Sequence, residues 1–320
     1  MKSHNKKFPV LGVFRRGVFS AKSPILAQMV VTRYCNLDCS YCNEFDKVSK
    51  PVALNALLRR VDALARLDTA IVTCTGGEPL THPELPQVIA HVRAHGMVAT
   101  VISNAFLLTR EWIERLNDAG LQEMQISIDN VEPDDISKKS LKSARGKLEL
   151  LRDHAKFAVN VNSVLGISDA HTDDAIEVSK VASAMGFTNS VALLHDSGGQ
   201  LKPFNEKQWA AYHQIGKVSG SLQHKFNYRL FQRNLLSGRP NAWKCRAGAR
   251  YLYICEHGVV HRCSQQRKYP GIPVEKYSVD DIRREFEAPK SCAPTCTLSC
   301  VHQASVFDQW RPMQPLRAAE

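Results

Sequence analysis

The chain has 320 residues, of which 44% are hydrophobic and 23% are charged, and its formal net charge is +11. That length suits one large domain, or one domain with a smaller appendage, and the composition is that of an ordinary globular protein. No apolar run is long enough to span a membrane. The apolar stretch near the N-terminus is broken by Arg15 and Arg16, which excludes a signal peptide. We therefore expect a cytoplasmic protein.

Positive charge is concentrated in a basic N-terminal arm, residues 1–24. It carries Lys2, Lys6, Lys7, Arg15, Arg16 and Lys22. We interpret the arm as solvated chain with some packing residues. Peripheral contact with a membrane face is the alternative, as is attraction to another anionic partner. Because no basic–aromatic patch typical of RNA or DNA binding is recognisable, the sequence disfavours a nucleic-acid partner.

Residues 25–200 alternate short apolar runs with helical patterns. The predicted strands are 25–32, 70–75, 97–103, 123–129, 158–165 and 190–196. The predicted helices are 53–67, 83–95, 109–119, 143–155 and 172–185. Strands that alternate with helices indicate an α/β fold with a parallel sheet, and strands that are apolar throughout are typical of a sheet buried on both faces.

Beyond the sixth predicted strand the pattern changes. A helical linker is expected over residues 201–241, a small cysteine-rich domain over 242–310 and a tail over 311–320. The segment YLYICEHGVVHRC, residues 251–263, predicts a β-hairpin with its turn at Glu256–Gly258.

The ten cysteines form two groups and one outlier, Cys74, which we interpret as a core residue. The first group directly follows the first predicted strand and consists of Cys35, Cys39 and Cys42. The second group consists of Cys245, Cys255, Cys263, Cys292, Cys296 and Cys300. Disulfides are rare in a reducing cytoplasm, so short spacings indicate ligation of a metal or an iron–sulfur cluster.

Three thiolates can hold three irons of a four-iron cube and leave the fourth iron open to another ligand. An open position also separates catalytic from structural zinc sites. The first cysteine group therefore predicts a catalytic cluster, with a zinc knuckle as the alternative from these three residues alone.

The segment CNLDCSYC, residues 35–42, resembles the C-x3-C-x-aromatic-C signature of the radical S-adenosylmethionine (SAM) superfamily, with Tyr41 in the aromatic position. The resemblance covers residues 25–196 and implies a partial (β/α)6 TIM-like barrel. It also implies a 4Fe-4S cluster, SAM, and a reductant such as flavodoxin or ferredoxin. In that family the open iron chelates the methionine amino and carboxylate groups of SAM, an electron from the cluster cleaves the C5′–S bond, and the 5′-deoxyadenosyl radical abstracts a hydrogen atom from substrate.

The segment TGGEP follows the second predicted strand and resembles the family segment that receives the SAM amino group. The resemblance implies cofactor contacts at Gly76, Gly77, Glu78 and Pro79. Glycine there would let backbone approach a ligand closely. A simple turn at the end of the strand is the alternative for this segment alone.

Two further segments follow the third and fourth predicted strands. In ISNAFLL, Ser103 and Asn104 match the family pattern, and Ala105 replaces its glycine. The segment SIDN resembles S-[LI]-D-G and implies that Ser127 and Asp129 contact SAM or substrate, with Asn130 in the glycine position.

Asn162 lies on the fifth predicted strand, at a position where relatives often contact SAM. A polar side chain in an apolar strand needs a partner. An internal hydrogen bond is the alternative to cofactor contact.

Cys245, Gly258 and Cys263 have the C-x(9–15)-G-x4-C spacing that opens the SPASM/twitch domain of some radical SAM enzymes. The resemblance implies one auxiliary 4Fe-4S cluster with Cys245 and Cys263 as ligands. Two further ligands are expected among Cys292, Cys296 and Cys300, with Cys255 as a fallback. The four-residue spacing predicts that the last three share one face of a helical turn. A structural zinc site is the alternative.

These features together predict a radical SAM enzyme with one catalytic and one auxiliary cluster. Peptide-modifying relatives often carry an N-terminal peptide-binding domain, and the residues before the first strand are too few for one. We therefore expect a small-molecule or lipid-like substrate. A maturase of a ribosomally made peptide or protein is the alternative, and a nucleic-acid modifying or binding iron–sulfur protein is an alternative of another class.

Overall fold

A computed structural model describes residues 13, 18, 20, 22–166, 169, 171–194, 201, 203–219 and 222–310. The predicted membrane contact of the basic arm rests mostly on residues outside these ranges, as does the predicted tail over 311–320. Val13 is described and packs against a small apolar cluster that contains Ile25 and Tyr251. In the described part of the chain, no helix is long and apolar enough to cross a membrane.

The described residues form a nine-stranded sheet. The strands are β1 (Leu26–Thr32), β2 (Ile71–Gly76), β3 (Val98–Ser103), β4 (Glu123–Ser127), β5 (Ala158–Leu165), β6 (Thr188–Leu193), β7 (Tyr251–Ile254), β8 (Val259–His261) and β9 (Pro270–Pro273). Their order is β6-β5-β4-β3-β2-β1-β7-β8-β9. Strands β1 to β6 pair in parallel, which confirms the predicted α/β class and the partial TIM-like barrel.

Helices separate the parallel strands. They are α1 (Leu54–Arg66), α2 (Leu85–Ala94), α3 (Arg110–Asp118), α4 (Leu141–His154) and α5 (Thr172–Ala184). The bounds of these strands and helices differ from the sequence predictions by at most three residues. In the linker and beyond lie α6 (Glu206–Ser219), α7 (Leu222–Asn227), α8 (Arg233–Leu236), α9 (Val279–Glu287) and α10 (Ser299–Ser305).

The main core lies between the helices and the outer face of the sheet. Leu57, Val61 and Leu64 of α1 are fully buried there, and burial of each such side chain contributes about 1.5–3 kcal/mol. The inner face is less apolar than predicted, because successive strand residues point to opposite faces. On that face Thr73 and Thr100 form a hydrogen bond of 2.7 Å between their hydroxyl groups.

The cysteine-rich segment continues the barrel sheet. Strand β7 pairs in parallel with β1, with Leu26 opposite Tyr251, and β8 pairs antiparallel with β7. The predicted hairpin is therefore confirmed, and its first strand is the neighbour of the strand that leads to the first cysteine group.

The three late cysteines do not share a helix, so that prediction is wrong. Cys292 precedes a short 3₁₀ turn, Ala293–Thr295, and Cys296 ends it with extended backbone. Cys300 lies in α10, which begins only at Ser299. Pro294 lacks an N–H donor, and the β-branched Thr295 and Thr297 are weak helix formers, so one continuous helix is disfavoured.

Candidate active site and second cysteine site

The first cysteine group lies on a loop that leaves β1 at the carboxyl edge of the sheet. The loop is closed at its base, where Cys35 N donates to Asp46 O (3.1 Å) and Asp46 N donates to Arg33 O (2.9 Å). Cys35 and Cys39 are buried and Cys42 is half-buried. Burial raises the pKa of the Cys35 thiol to about 11 and also raises that of Cys42, so binding of iron to these sulfurs is coupled to release of their protons.

The three cysteines line one cavity of about 210 Å³. Six of the predicted cofactor residues line the same cavity, namely Gly76, Gly77, Glu78, Ser103, Asn104 and Ser127. They come from the ends of β2, β3 and β4, which meet the cysteine loop after β1 at one edge because the strands are parallel. Four other predicted contacts do not line the cavity, namely Tyr41, Pro79, Asp129 and Asn162.

The glycines bring the end of β2 against the end of β1. A Cβ atom at Gly76, where φ is +134°, would lie 2.0 Å from Thr32 O, and one at Gly77 would lie 2.3 Å from Tyr34 O. Gly77 N donates to Thr32 O, and Glu78 N donates to Tyr34 O, both at 2.9 Å. Glycine is thus required at both positions because the backbone after β2 lies against the backbone after β1. This requirement holds whether or not a ligand is bound.

Glu78 joins β2 to β3. Its side chain is 1% exposed and accepts hydrogen bonds from Leu80 N (3.0 Å), Ser103 Oγ (2.7 Å) and Asn104 N (2.7 Å). Burial raises the pKa of Glu78, although these three donors oppose the rise. The carboxylate therefore acts as a structural acceptor as well as a wall of the cavity.

Asn104 connects β3 to the cysteine loop. Its Nδ2 donates to Asn36 Oδ1 (2.9 Å) and approaches Cys35 Sγ at 3.8 Å. Ala105, which stands where relatives carry glycine, has φ +63°, a left-handed conformation that costs an L-residue about 1–2 kcal/mol. The backbone at Ala105 thus has the left-handed conformation that glycine would adopt at this position. Asn104 keeps its hydrogen bond to Asn36 in the cysteine loop.

Lys139 is a cavity residue that the sequence did not reveal. It is the one lysine or arginine among the described residues that line the cavity, and its side chain is 18% exposed. Its Nζ lies 3.2 Å from Asp129 Oδ2. Burial lowers the pKa of Lys139, but Asp129 and Tyr41 outweigh burial, and the net effect is a raised pKa. Lys139 is therefore a cation beside the first cysteine group.

Asp129 and Tyr41 lie behind Lys139. Tyr41 Oη donates to Asp129 Oδ2 (2.5 Å), and Ser137 Oγ donates to the same oxygen (2.6 Å). Ser137 Oγ also lies 3.4 Å from Cys39 Sγ. Asp129 is fully buried, so the structure places it as a support for Lys139 and the loop.

The remaining predicted contacts lie in two places. Ser127 lines the cavity, whereas Asn162, opposite it on β5, accepts a hydrogen bond from Ser190 Oγ (2.8 Å). Asn162 therefore has the internal partner that the sequence allowed. Asn130 is buried without a positive φ, and its Nδ2 donates to Ser137 O (3.0 Å).

The second cysteine group gathers beside the hairpin. Cys263 lies within electrostatic reach of Cys245 and Cys292. Cys296 lies within reach of Cys245, Cys263 and Cys300. Burial raises the pKa of Cys263 to about 12, and the two neighbouring thiols add to the rise. Cys255 is buried in the same apolar cluster.

The spacing of the sulfur atoms argues against a single metal ion at either group. A tetrahedral zinc site with bonds of about 2.3 Å to each sulfur holds its ligands less than about 4 Å apart. Among the described residues, no three cysteine sulfurs lie within 4.8 Å of one another. The thiols of either group are therefore not arranged as a closed tetrahedral zinc site in this structure.

Strand β7 lies between the two cysteine groups. Tyr253 Oη donates to Glu44, a wall of the cavity. Tyr251, two residues earlier, forms a hydrogen bond with Cys300 and donates to Gln28 Oε1 (2.6 Å). The same strand thus contacts both sites.

Comparison with known proteins agrees with this geometry. A family model described as the Radical SAM superfamily matches residues 29–191, just over half of the chain. The curated PqqA peptide cyclase of Bradyrhizobium diazoefficiens is 33% identical over 112 residues, which is 34% of this chain and 30% of that protein. The PqqA peptide cyclase of Xanthomonas axonopodis pv. citri is 30% identical over 122 residues, 35% of this chain and 31% of that protein. The matched segment thus spans less than a third of these relatives.

Two solved structures share the fold. Streptococcus suis SuiB superposes with a TM-score of 0.61 at 15% identity, over 82% of this chain and 66% of SuiB. The structure of anSMEcpe with bound AdoMet and Cp18Cys peptide gives a TM-score of 0.58 at 15% identity, over 84% of this chain and 85% of that chain. The chain therefore belongs to the radical SAM superfamily of enzymes, which use a 4Fe-4S cluster and SAM.

Proposed function

We propose that Cys35, Cys39 and Cys42 hold the catalytic cluster of a radical SAM enzyme that modifies a ribosomally made peptide. The observation that carries the catalytic part is the convergence of the three thiols, Glu78 and Lys139 on one cavity. The donor set fits, because three sulfurs leave one iron open and the cavity offers both an acceptor and a cation. When bound, the cluster supplies the electron that cleaves SAM to a 5′-deoxyadenosyl radical.

The charges of the cavity suit the two ends of an amino acid. Glu78 and the carbonyl groups of the TGGEP segment can accept from the ammonium group of SAM. Lys139 can donate to its carboxylate, and Asp129 fixes the lysine in place. A charge-assisted hydrogen bond of this kind contributes about 1.5–3 kcal/mol.

The peptide substrate replaces the small-molecule or lipid-like substrate that the sequence favoured. Its support comes from the curated relatives, which are named for a peptide that they cyclise. A small-molecule substrate was expected because few residues precede β1. That length concerns how a peptide is recruited, and it does not limit the chemistry that the barrel performs on a peptide.

A cleft formed by the chain segments that follow Cys42 and Cys263 offers room for an extended chain. It measures about 420 Å³ and is lined by Asn43, which follows Cys42, and by 264–269, which follow Cys263. Amide side chains line it at Asn43, Gln265 and Gln266, and amides can pair with both donors and acceptors of a peptide backbone. This placement supports a substrate that reaches both sites.

For the auxiliary cluster we propose Cys245, Cys263, Cys292 and Cys296 as ligands. Cys263 lies near Cys245 and Cys292, and Cys296 lies near Cys245 and Cys263. Cys300 also lies near Cys296 but has Tyr251 as a further neighbour, and Cys255 is buried in the adjoining apolar cluster, so we assign these two as spare thiols.

Hydrogen transfer from the substrate tests the proposed substrate class. The reconstituted enzyme is incubated anaerobically with SAM, dithionite and an extract of source cells grown in heavy water, and the mass of 5′-deoxyadenosine is measured. A peptide substrate gives deuterated 5′-deoxyadenosine that disappears when the extract is first digested with protease. Transfer that survives digestion and follows the small-molecule fraction would contradict the peptide assignment.

A further inference from the structure

Three side chains with metal-ligand chemistry meet on the outer surface of the barrel. Asp62 lies on α1, His91 lies on α2, and His95 follows the last residue of α2. Asp62 Oδ1 lies 2.7 Å from His91 Nε2 and 2.9 Å from His95 Nε2. The two imidazole rings are perpendicular, with centroids 4.9 Å apart.

The local sequence makes this convergence rigid. His91 and His95 are four residues apart, which puts them on one face of the helix. That face packs towards α1, where Asp62 lies one position after the buried Val61. The three ligand atoms all lie within 4.8 Å of one another, and among the described residues this is the one group of three such side chains that meets that distance.

Hydrogen bonding alone is the simpler explanation of why these side chains meet. In that case Asp62 Oδ1 accepts one hydrogen bond from an N–H group of each ring. The same three atoms are also those that a divalent ion needs, because a metal can take the place of the two protons once the carboxylate and the rings move apart to the spacing of metal ligands. The hydrogen bonds from His91 and His95 lower the pKa of Asp62, which keeps the carboxylate ionised near neutral pH. The side chains are 30–42% exposed, so an ion and its remaining water ligands can reach them.

We propose that Asp62, His91 and His95 form a binding site for a divalent transition metal ion of the zinc or nickel class. Imidazole nitrogen and carboxylate oxygen suit these ions, and water would complete the coordination. The ion would join α1 to α2 and stabilise the outer layer of the barrel. None of the three residues lines the cavity or the cleft, so this site is independent of the proposed function.

The experiment uses tag-free holoprotein with its iron–sulfur clusters in place, so that the cluster cysteines do not compete for the added metal. Zinc chloride is titrated anaerobically by calorimetry into the wild type, His95→Gln and Asp62→Asn. His154→Gln, a histidine change on α4, is the matched control. We expect one zinc per chain in the wild type and control, and binding weakened at least about tenfold in both site variants, which is about 1.4 kcal/mol.

Thermal unfolding gives a second readout. A zinc concentration that saturates the wild type should raise the midpoint of the wild type and the control, because a ligand bound only by the folded state stabilises it, and should raise the midpoint of the site variants less. Iron content should be equal in all four proteins. Failure of the wild type to bind zinc, or equal zinc affinity in the wild type and both site variants, would overturn the proposal.

Discussion

The residue whose role the fold alone reveals is Lys139. It lies in a loop between β4 and α4, beside Lys138, and nothing in the sequence separates the two lysines. In the structure Lys138 is 42% exposed and faces Asp135, whereas Lys139 lines the cavity and is held by Asp129. A half-buried cation beside the first cysteine group is suited to bind the carboxylate of SAM.

Lys139→Gln should therefore weaken SAM binding by about ten- to a hundredfold, the equivalent of one charge-assisted hydrogen bond. The affinity is measured by equilibrium binding of SAM to the reconstituted protein, with iron content as the check on the cluster. Lys138→Gln is the matched control and should bind SAM as the wild type does. Equal affinities for the two variants would remove Lys139 from the site.

Most of the cavity could be predicted from the sequence because its residues directly follow strands. The C-terminal ends of parallel strands meet at one edge, so Cys35, Glu78, Asn104 and Ser127 converge once the strand order is known. Asp129 and Asn162, two further predicted contacts, do not line the cavity. Asp129 forms an ion pair with Lys139 in the loop after β4, and Asn162 accepts a hydrogen bond from Ser190 on the neighbouring strand β6. Periodicity does not encode which side chains meet in this way.

Among the elements, the segment from Cys292 to Cys300 differs most from its prediction. A spacing of four residues suggested one helix, but the backbone is extended at Cys296 and the helix starts at Ser299. Across this break, Cys296 lies near Cys245 and Cys263, and Cys300 lies beside Tyr251.

Single alanine variants should separate ligands from spare thiols in this segment. Cys292→Ala and Cys296→Ala should lose iron from the auxiliary cluster, up to about four of an expected eight irons per chain. Cys300→Ala and Cys255→Ala, the matched controls, should keep the wild-type iron content. The iron content of the four reconstituted variants is measured and compared with that of the wild type. A loss of iron confined to Cys300→Ala would reverse the assignment.

Helix α7 contains a histidine that makes stability depend on pH. His224 is 5% exposed and packs on Tyr212 with ring centroids 4.6 Å apart. Burial, and then His213, lower the pKa of His224 from 6.5 to about 4. The unfolded chain takes up the proton near pH 6.5, so the neutral histidine stabilises the fold fully above that pH and this contribution is lost as the pH falls towards 4.

Between pH 7 and pH 5 this single group should cost the wild type about 2 kcal/mol of unfolding free energy. His224→Gln should remove that part of the pH dependence of the unfolding free energy, because glutamine does not titrate. Denaturant unfolding of both proteins at the two pH values measures the difference. An identical loss in wild type and variant would show that His224 does not titrate as inferred.

At the scale of the whole molecule, the cysteine-rich segment and the barrel form one sheet and share a buried ion pair. Arg250, just before β7, donates from Nε to Asp308 Oδ2 at 2.8 Å, and both side chains are fully buried. Arg250 also donates to Ser23 O, just before β1. The pair therefore joins the start of the barrel, the hairpin and the C-terminal helical region.

Removal of one partner leaves a buried charge uncompensated. Asp308→Ala should lower the unfolding free energy by about 3–5 kcal/mol. Asp280→Ala, which removes a surface carboxylate with an 83% exposed side chain, should change it by no more than about 0.5 kcal/mol. Denaturant unfolding of the two variants checks the difference, and similar values would mean that the pair does not hold these segments together.

We infer that Cys35, Cys39 and Cys42 hold the cluster that cleaves SAM. Formation of 5′-deoxyadenosine by the anaerobically reconstituted protein with dithionite and SAM tests this assignment. The wild type and the Cys245→Ala, Cys263→Ala double variant should both form it, and the triple alanine variant of the first group should not. Formation at the wild-type rate by the triple variant would contradict the account.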